Sequence, residues 1–361
     1  MKLNGYLAKS TIVAALGGLL FGFDTVVISG TTSGLTATYN LSPWLKGFTV
    51  SAALWGTVLG ALLAGIPGDK CGRRDSLRGM AVLYLISALG CAGAWSWTAL
   101  VVFRFICGLA IGGSSVLGPM YIAEVSPASW RGRLVGFFQF NIVFGILVAY
   151  LSNYAIGTLN LGAAEWRWDL GVTAIPAAFF FVMLFFIPRS PRWLVKKQRS
   201  AEALEVLKLT GEPNYVQQLK EITASIDAEH GHADEPLLSP KYRLPIFLAV
   251  SIAFFNQFSG INAILYYLND IFAGAGFSKV SAGLQAVLIG LTNLIFTMLA
   301  MAVIDKVGRK KLLLIGAVGT SACLAGVAGI FGSGKRPDLL IWLLIAYIAF
   351  FAFSQGAVIW V

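Results

Sequence analysis

Ten stretches of roughly twenty or more residues are dominated by apolar side chains. They lie near positions 10–31, 46–66, 75–95, 98–122, 134–156, 168–188, 244–272, 281–304, 311–332 and 338–361. Each is long enough to cross a bilayer hydrocarbon core of about 30 Å as a helix. Lipid offers no hydrogen bonds to an exposed backbone, so spans of this length are expected to be helical. Most connections are short. The exception, about 189–243, is polar and charged and separates six spans from four. The pattern predicts an all-α membrane protein with a six-helix bundle over 1–188, a cytoplasmic linker over 189–243 and a four-helix bundle over 244–361.

The polar punctuation repeats. Gly65-x-x-x-Asp69-x-x-Gly72-Arg73-Arg74 returns as Met301-x-x-x-Asp305-x-x-Gly308-Arg309-Lys310, the aspartates 305 − 69 = 236 residues apart. Each copy follows one apolar span and precedes another. A duplicated acidic–basic turn points to two homologous bundles in parallel orientation, and internal repeats of that kind mark secondary transporters. A duplicated six-helix unit would supply two spans beyond the tenth, so the chain is expected to be a C-terminally truncated version of that plan.

Composition supports the membrane reading. The 361 residues are 57% hydrophobic and 12% charged, against about 25% charged in an average soluble domain, and the mean hydropathy is +0.76. The 40 glycines suit close helix–helix approach in lipid. The net charge of +10 does not indicate nucleic acid, because the positives fall in loops between apolar spans. Of the 27 lysines and arginines, 21 lie on one alternating set of segments, five on the other, and Arg104 lies within a span. That skew puts the N-terminus, the linker and both charged turns in the cytoplasm. Lys2 and Lys9 precede an apolar run, but no small-residue cleavage site follows, so the first span is expected to be retained.

Other chemistries are excluded. There is no phosphate-cradling Gly-Lys-Ser/Thr loop, so ATP is not the energy source, and no HExxH or similar metal cluster. His230 and His232 sit in the polar linker, and the four cysteines show no metal or disulfide spacing. No catalytic residue, cofactor or metal is expected. Within the linker, Ser190-Pro191 is an N-cap and first-turn pair, followed by apolar residues at helical spacing, which predicts two or three short amphipathic helices in preference to a solvated tether.

Asp24 and Arg104 are the informative charges inside spans. Each costs about 2.5–3.5 kcal/mol at a helix centre on insertion scales, so they are expected to face the bundle interior near one another. A carboxylate whose counter-charge can swing away is a proton switch; the alternative is a purely structural ion pair. A second set consists of amides: Gln139 in span five, Asn256, Gln257 and Asn262 in span seven, Asn293 in span eight. Together they suit the hydroxyls of a neutral polyol, although any one of them can equally tie helices together. Phe21, Tyr266, Tyr267 and Trp360 offer stacking surfaces. In the repeated turns, glycine permits a sharp reversal, while Asp and Arg can pair across helix ends, so breaking the cluster on one face would favour closure on the other.

At this point the chain resembles the sugar porter family of the major facilitator superfamily, and bacterial sugar–proton symporters in particular. The likeness is carried by Gly17–Gly30 (GGLLFGFDTVVISG), Arg104–Pro127 (RFICGLAIGGSSVLGPMYIAEVSP), Pro188–Leu194 (PRSPRWL), Asn256–Tyr267 (NQFSGINAILYY) and Asp305–Lys310 (DKVGRK). The resemblance implies the two-bundle major facilitator fold, alternating access and a hexose or pentose substrate. It also implies that Gln139, Gln257, Asn262, Asn293 and Trp360 contact sugar, with Asn256, Phe21 and Tyr267 beside them. Asp24 and Arg104 match the proton-coupling pair. Glu124 and Arg131 match gating charges that act with Asp69, Arg73, Arg74, Asp305 and Arg309. Two departures stand out: Asn256 replaces a glutamine, and Arg189 replaces a glutamate and reverses a charge in the intracellular network.

The function expected is monosaccharide transport by a multi-pass protein of a bacterial inner membrane, with protons and the lipid bilayer as partners and the monomer as the working unit. A uniporter of the same fold and a transport-inactive fragment remain as alternatives.

Overall fold

The computed structural model describes residues 4–231, 239–333 and 337–358, apart from a few side chains, among them that of Asp305. The described residues are almost wholly helical. Helix α1 (Gly5–Tyr39) starts on an Asn4 cap whose side chain accepts from the Tyr6 N–H. It is followed by α2 (Pro43–Leu63), α3 (Gly65–Cys71), α4 (Arg73–Ala92), α5 (Trp97–Val125) and α6 (Ala128–Thr158). The sixth span is divided into α7 (Glu165–Gly171) and α8 (Ala174–Met183). Pro176 lacks an N–H for the Val172 carbonyl, which explains why one helix does not run through.

The linker forms α9 (Pro191–Lys196), α10 (Ser200–Leu209) and α11 (Tyr215–Gly231). Ser190 caps α9 by accepting from the Trp193 N–H, with Pro191 in the first turn. Trp193, Leu194, Val195, Ala203, Val206 and Ile226 make a small separate core there.

The seventh span is also broken, into α12 (Arg243–Phe258), α13 (Ile261–Tyr266) and α14 (Leu268–Gly274). Gly260 adopts φ +86°, a left-handed conformation that ends α12 at minimal steric cost. Then come α15 (Lys279–Val307), α16 (Arg309–Ser333), α17 (Leu340–Phe353) and α18 (Gln355–Val358). Among the described residues, eight helical stretches are long and apolar enough to cross a membrane; the sixth and tenth spans are assembled from shorter helices.

Polarity is distributed inside out. Large apolar side chains such as Leu62, Ile175, Phe186, Phe255 and Val318 are exposed, whereas Asp24, Arg104, Gln139, Asn293 and Thr297 are buried. A surface of that kind matches lipid rather than water.

Glycine sets the helix spacing. A β-carbon on Gly56 or Gly60 of α2 would fall inside the backbone of Phe105 or Leu109 in α5, and one on Gly108 would strike the Ala53 carbonyl. On the other side of the bundle, Gly22 of α1 meets the Ile142 carbonyl of α6, and Gly145 meets that of Leu19. Backbones that approach this closely gain dispersion contact without needing a hydrophobic effect, which lipid does not supply.

Gly145→Ala is expected to displace α6 from α1 and lower the thermal midpoint of purified protein by several degrees. Gly79→Ala is a control on α4, with nothing within 4 Å of the added carbon; it should be neutral or stabilising by up to about 1 kcal/mol. Equal losses in the two variants would contradict this packing.

Candidate functional site

Helix α1 delivers Asp24 and α5 delivers Arg104 to the middle of the first six helices. Arg104 Nη1 donates to Asp24 Oδ1 at 2.7 Å, and the two side chains are only 3% and 6% exposed. Further along the same two helices a small pair sets a close approach, with a β-carbon on Gly17 falling 3.2 Å from Ser114 Cβ. Beside the pair lies a cavity of about 420 Å³, lined by Phe21, Thr25, Thr57, Gln257, Asn262 and Tyr266 among others. Arg104 Nε is buried without a hydrogen-bond partner. The counter-charge is therefore specific, and the acid lies beside open space.

A second cavity of about 300 Å³ lies between α1 and α6 on one side and α12, α13 and α15 on the other, at the lower end of the range for small-molecule pockets. Its wall carries Gln139, Asn256, Gln257, Asn262 and Asn293, with Phe21 as an aromatic face. Gln139 Nε2 donates to the Gly356 carbonyl at 3.2 Å, while its Oε1 has no partner. Asn262 Nδ2 donates to Gln257 Oε1 at 2.7 Å across the Ser259-Gly260 break. Asn256 Oδ1 and the Thr297 hydroxyl are buried without partners. Buried acceptors left open in this way are costly unless a ligand or water donates to them. Hydroxyl-rich ligands can donate and accept at each such position.

Phe21, Thr25, Gln257 and Asn262 line both cavities, so the amide site and the ion pair share a wall.

One expected contact falls elsewhere. Tyr267 does not line the amide cavity; its ring lies 5.8 Å from Lys46 Nζ at one end of the bundle. Its neighbour Tyr266 faces the ion pair instead, because successive helical residues point about 100° apart. Trp360 lies outside the described residues. Thr25 and Thr297 were not anticipated, yet spacing marks them: Thr25 is four residues from Phe21 and Thr297 four from Asn293, on faces already singled out.

The first charged turn is built around Gly72, at φ +92°. Arg73 Nη1 donates to Gly68 O and Asp69 Oδ1, both at 2.9 Å. Its Nε lies 3.0 Å from Glu124 Oε1. Ser190, the α9 cap, donates to Glu124 Oε2, and Trp193 Nε1 donates to Asp69 O at 3.1 Å. The linker therefore rests directly on the turn. Arg131 is exposed and lines a 620 Å³ cavity with Asp69, Arg73 and Glu124.

Arg74, Arg78 and Arg189 converge on one carboxylate, Asp75, at 3.2, 2.7 and 3.1 Å. Arg189, where the resemblance implies a glutamate, thus shares this carboxylate with two other arginines. The second turn repeats the backbone, with Gly308 at φ +86° and its N–H on the Ile304 carbonyl at 3.0 Å. Arg309 is exposed there, and the Asp305 side chain lies outside the described ones.

The chain and its fold match known proteins. Residues 10–361 match the family described as sugar (and other) transporter. The D-xylose-proton symporter of Escherichia coli is 38% identical, over 99% of this chain and 79% of that protein. The arabinose-proton symporter of Bacillus subtilis is 36% identical, over 99% and 78%, and the glucose transporter GlcP of Staphylococcus epidermidis 37%, over 100% and 80%. Among solved structures, the partially occluded inward open conformation of the xylose transporter XylE from E. coli superposes with a TM-score of 0.90 at 37% identity. It covers 99% of this chain and 86% of that one.

Asp24→Ala leaves the Arg104 guanidinium buried without its counter-charge and is expected to destabilise the protein by about 3–5 kcal/mol. The double variant Asp24→Asn/Arg104→Met, which removes both charges, should recover most of that loss in a thermal melt. A double variant no more stable than Asp24→Ala would contradict the pairing.

Proposed function

This chain belongs to the family of sugar (and other) transporters, and on that premise we propose that it carries a monosaccharide, a pentose or a hexose, by alternating access coupled to protons. The family is one of carriers, not enzymes, and the chain is a multi-pass membrane protein. The observation that carries the reading is a cavity between the two sets of helices, with unpartnered amide and hydroxyl oxygens on its wall, that shares four residues with the cavity of a buried carboxylate–guanidinium pair.

In this mechanism Gln139, Asn256, Gln257, Asn262 and Asn293 bind the sugar hydroxyls, and Phe21 covers an apolar face of the ring. Thr297 joins them from the same helix face as Asn293. A sugar hydroxyl entering between Gln257 and Asn262 replaces the hydrogen bond they make to one another, so this pair exchanges one partner for another on binding. Asp24 is the proton carrier. The proton crosses with the sugar on this carboxylate when the Arg104 guanidinium moves away from it. The likeness to a partially occluded inward open relative supports reading the structure as an inward-facing state.

The chain divides in this account into the bundle of 1–188, the cytoplasmic linker of 189–243 and the bundle of 244–361. The N-terminus lies in the cytoplasm, as the lysine and arginine distribution favours, and the monomer is the transporting unit. The charges on the linker side, Asp69, Arg73, Arg74, Glu124 and Arg131, with Asp305 and Arg309 of the second turn, are the contacts that re-form as that face opens and closes. Relatives named for xylose, arabinose and glucose transport define the sugars to assay first.

Proteoliposomes are expected to accumulate one of these sugars only under an inward proton gradient. Asp24→Asn should abolish accumulation and leave sugar exchange intact; undiminished accumulation in that variant would make the ion pair structural and place the coupling elsewhere, whereas wild-type protein that only equilibrates the sugar would be a uniporter. Gln139→Ala removes one neutral hydrogen-bonding group from the cavity, worth about 1–1.5 kcal/mol. It should raise KM for the transported sugar roughly tenfold with little change in the coupling ratio, as read from initial uptake rates.

A further inference from the structure

The account above leaves unused a group of side chains at the end of the bundle opposite the Asp69–Arg73 cluster. Lys46, in the first turn of α2, places Nζ 2.8 Å from Asp270 Oδ2 in α14. Thr32, toward the end of α1, donates to the other oxygen, Asp270 Oδ1, at 3.1 Å. Both carboxylate oxygens are therefore engaged by the first six helices, across 224 and 238 residues of sequence (270 − 46 and 270 − 32). The Lys46 and Asp270 side chains are about three-quarters covered, 26% and 29% exposed. Tyr267 lies against Lys46, and its hydroxyl reaches the neighbourhood of Gly47.

The segment that carries Asp270 is jointed. Gly260 at φ +86° separates it from α12, and a further break at Tyr267, φ −110°, divides α13 from α14. The two sides of the joint differ in packing. No residue of α12 is buried, whereas α13 and α14 bury Ile261, Ile264, Leu265, Leu268 and Phe272. Tyr150 of α6 also donates to the Leu265 carbonyl at 3.0 Å. Residues 261–274 are thus held by the first set of helices at several points, while α12 buries none of its residues and reaches the cavities only at Asn256 and Gln257.

Partly exposed ion pairs contribute little to global stability, so fold maintenance is a poor explanation for this one. Its position is distinctive: it crosses between two bodies that alternating access requires to separate at this face. We propose that the Lys46–Asp270 pair, seconded by Thr32, is a latch that holds this mouth of the carrier closed and sets the population of the state open on that side. The latch rests on the transport reading, and a ligand-free measurement tests it separately. Lys46 and Asp270 act as positioning residues, because neither touches the amide cavity.

Hydrogen–deuterium exchange on the purified full chain tests the latch without requiring transport. In Asp270→Asn and in Lys46→Met, the amides of 261–274 should exchange roughly threefold faster, while those of α4 stay unchanged. The swapped variant Lys46→Asp/Asp270→Lys should return them toward the wild-type rate. In proteoliposomes, a larger open fraction should lower KM for sugar presented to that face by about the same factor without raising kcat. Should a charge variant fail to fold, Thr32→Val removes only the supporting hydroxyl and should move the same amides in the same direction.

Unchanged exchange in the single variants that fold, or in Thr32→Val when neither does, overturns the latch, as does a swapped variant that exchanges as fast as the single ones. If exchange follows the prediction while no variant or wild-type protein transports sugar, the latch stands and the transport reading fails.

Discussion

Inside the bundle, a carboxylate and a guanidinium are held 2.7 Å apart with almost no exposure. Much else depends on that contact. Neither charge would be tolerated alone in such surroundings, so α1 and α5 must keep their small faces together for the helices to remain folded in lipid. Yet the pair itself adds little net stability, since desolvating two charges offsets most of their attraction. Open space adjoins the pair, and Arg104 Nε has no hydrogen-bond partner.

The amide cavity draws its meaning from that neighbour. Gln257 and Asn262 belong to both walls, and they stand on opposite sides of a helix break at Ser259-Gly260. A ligand that reorganises this pair acts at the joint of the seventh span and beside the ion pair at once. Coupling between sites needs a physical element that both touch, and the seventh span, broken at Gly260, lines both cavities. The short polar turns act at the other end. In the first, Arg73 bridges the end of α3 and Glu124 of α5, and the linker helix α9 is seated on both through Ser190 and Trp193. The linker thus becomes part of the charge cluster rather than a tether.

Chemistry was legible in the chain where a residue type was out of place. Asp24 and Arg104 stood out because ionised groups are expensive in apolar spans, and the amides stood out for the same reason. Ser190-Pro191 was legible as a helix start because capping is local. Contacts that depend on rotation about a helix axis were harder to read. Tyr266 and Tyr267 are adjacent and chemically alike, and only the direction of each side chain assigns one to the ion-pair cavity and the other to Lys46. The breaks at Val172–Thr173 and Tyr267 lay within apolar runs that hydropathy alone reads as continuous helix.

The sequence by itself determined the membrane class, the apolar spans, the repeated turn and the residue types of the candidate site, since each follows from transfer free energies and local backbone preferences along one dimension. The tertiary structure decided which of those polar groups share a cavity, that Arg74, Arg78 and Arg189 gather on Asp75, and that Lys46 meets Asp270. Those outcomes depend on close backbone approach at glycines such as Gly22, Gly108 and Gly145, which sets helix rotation and spacing and so brings together side chains up to two hundred residues apart or more.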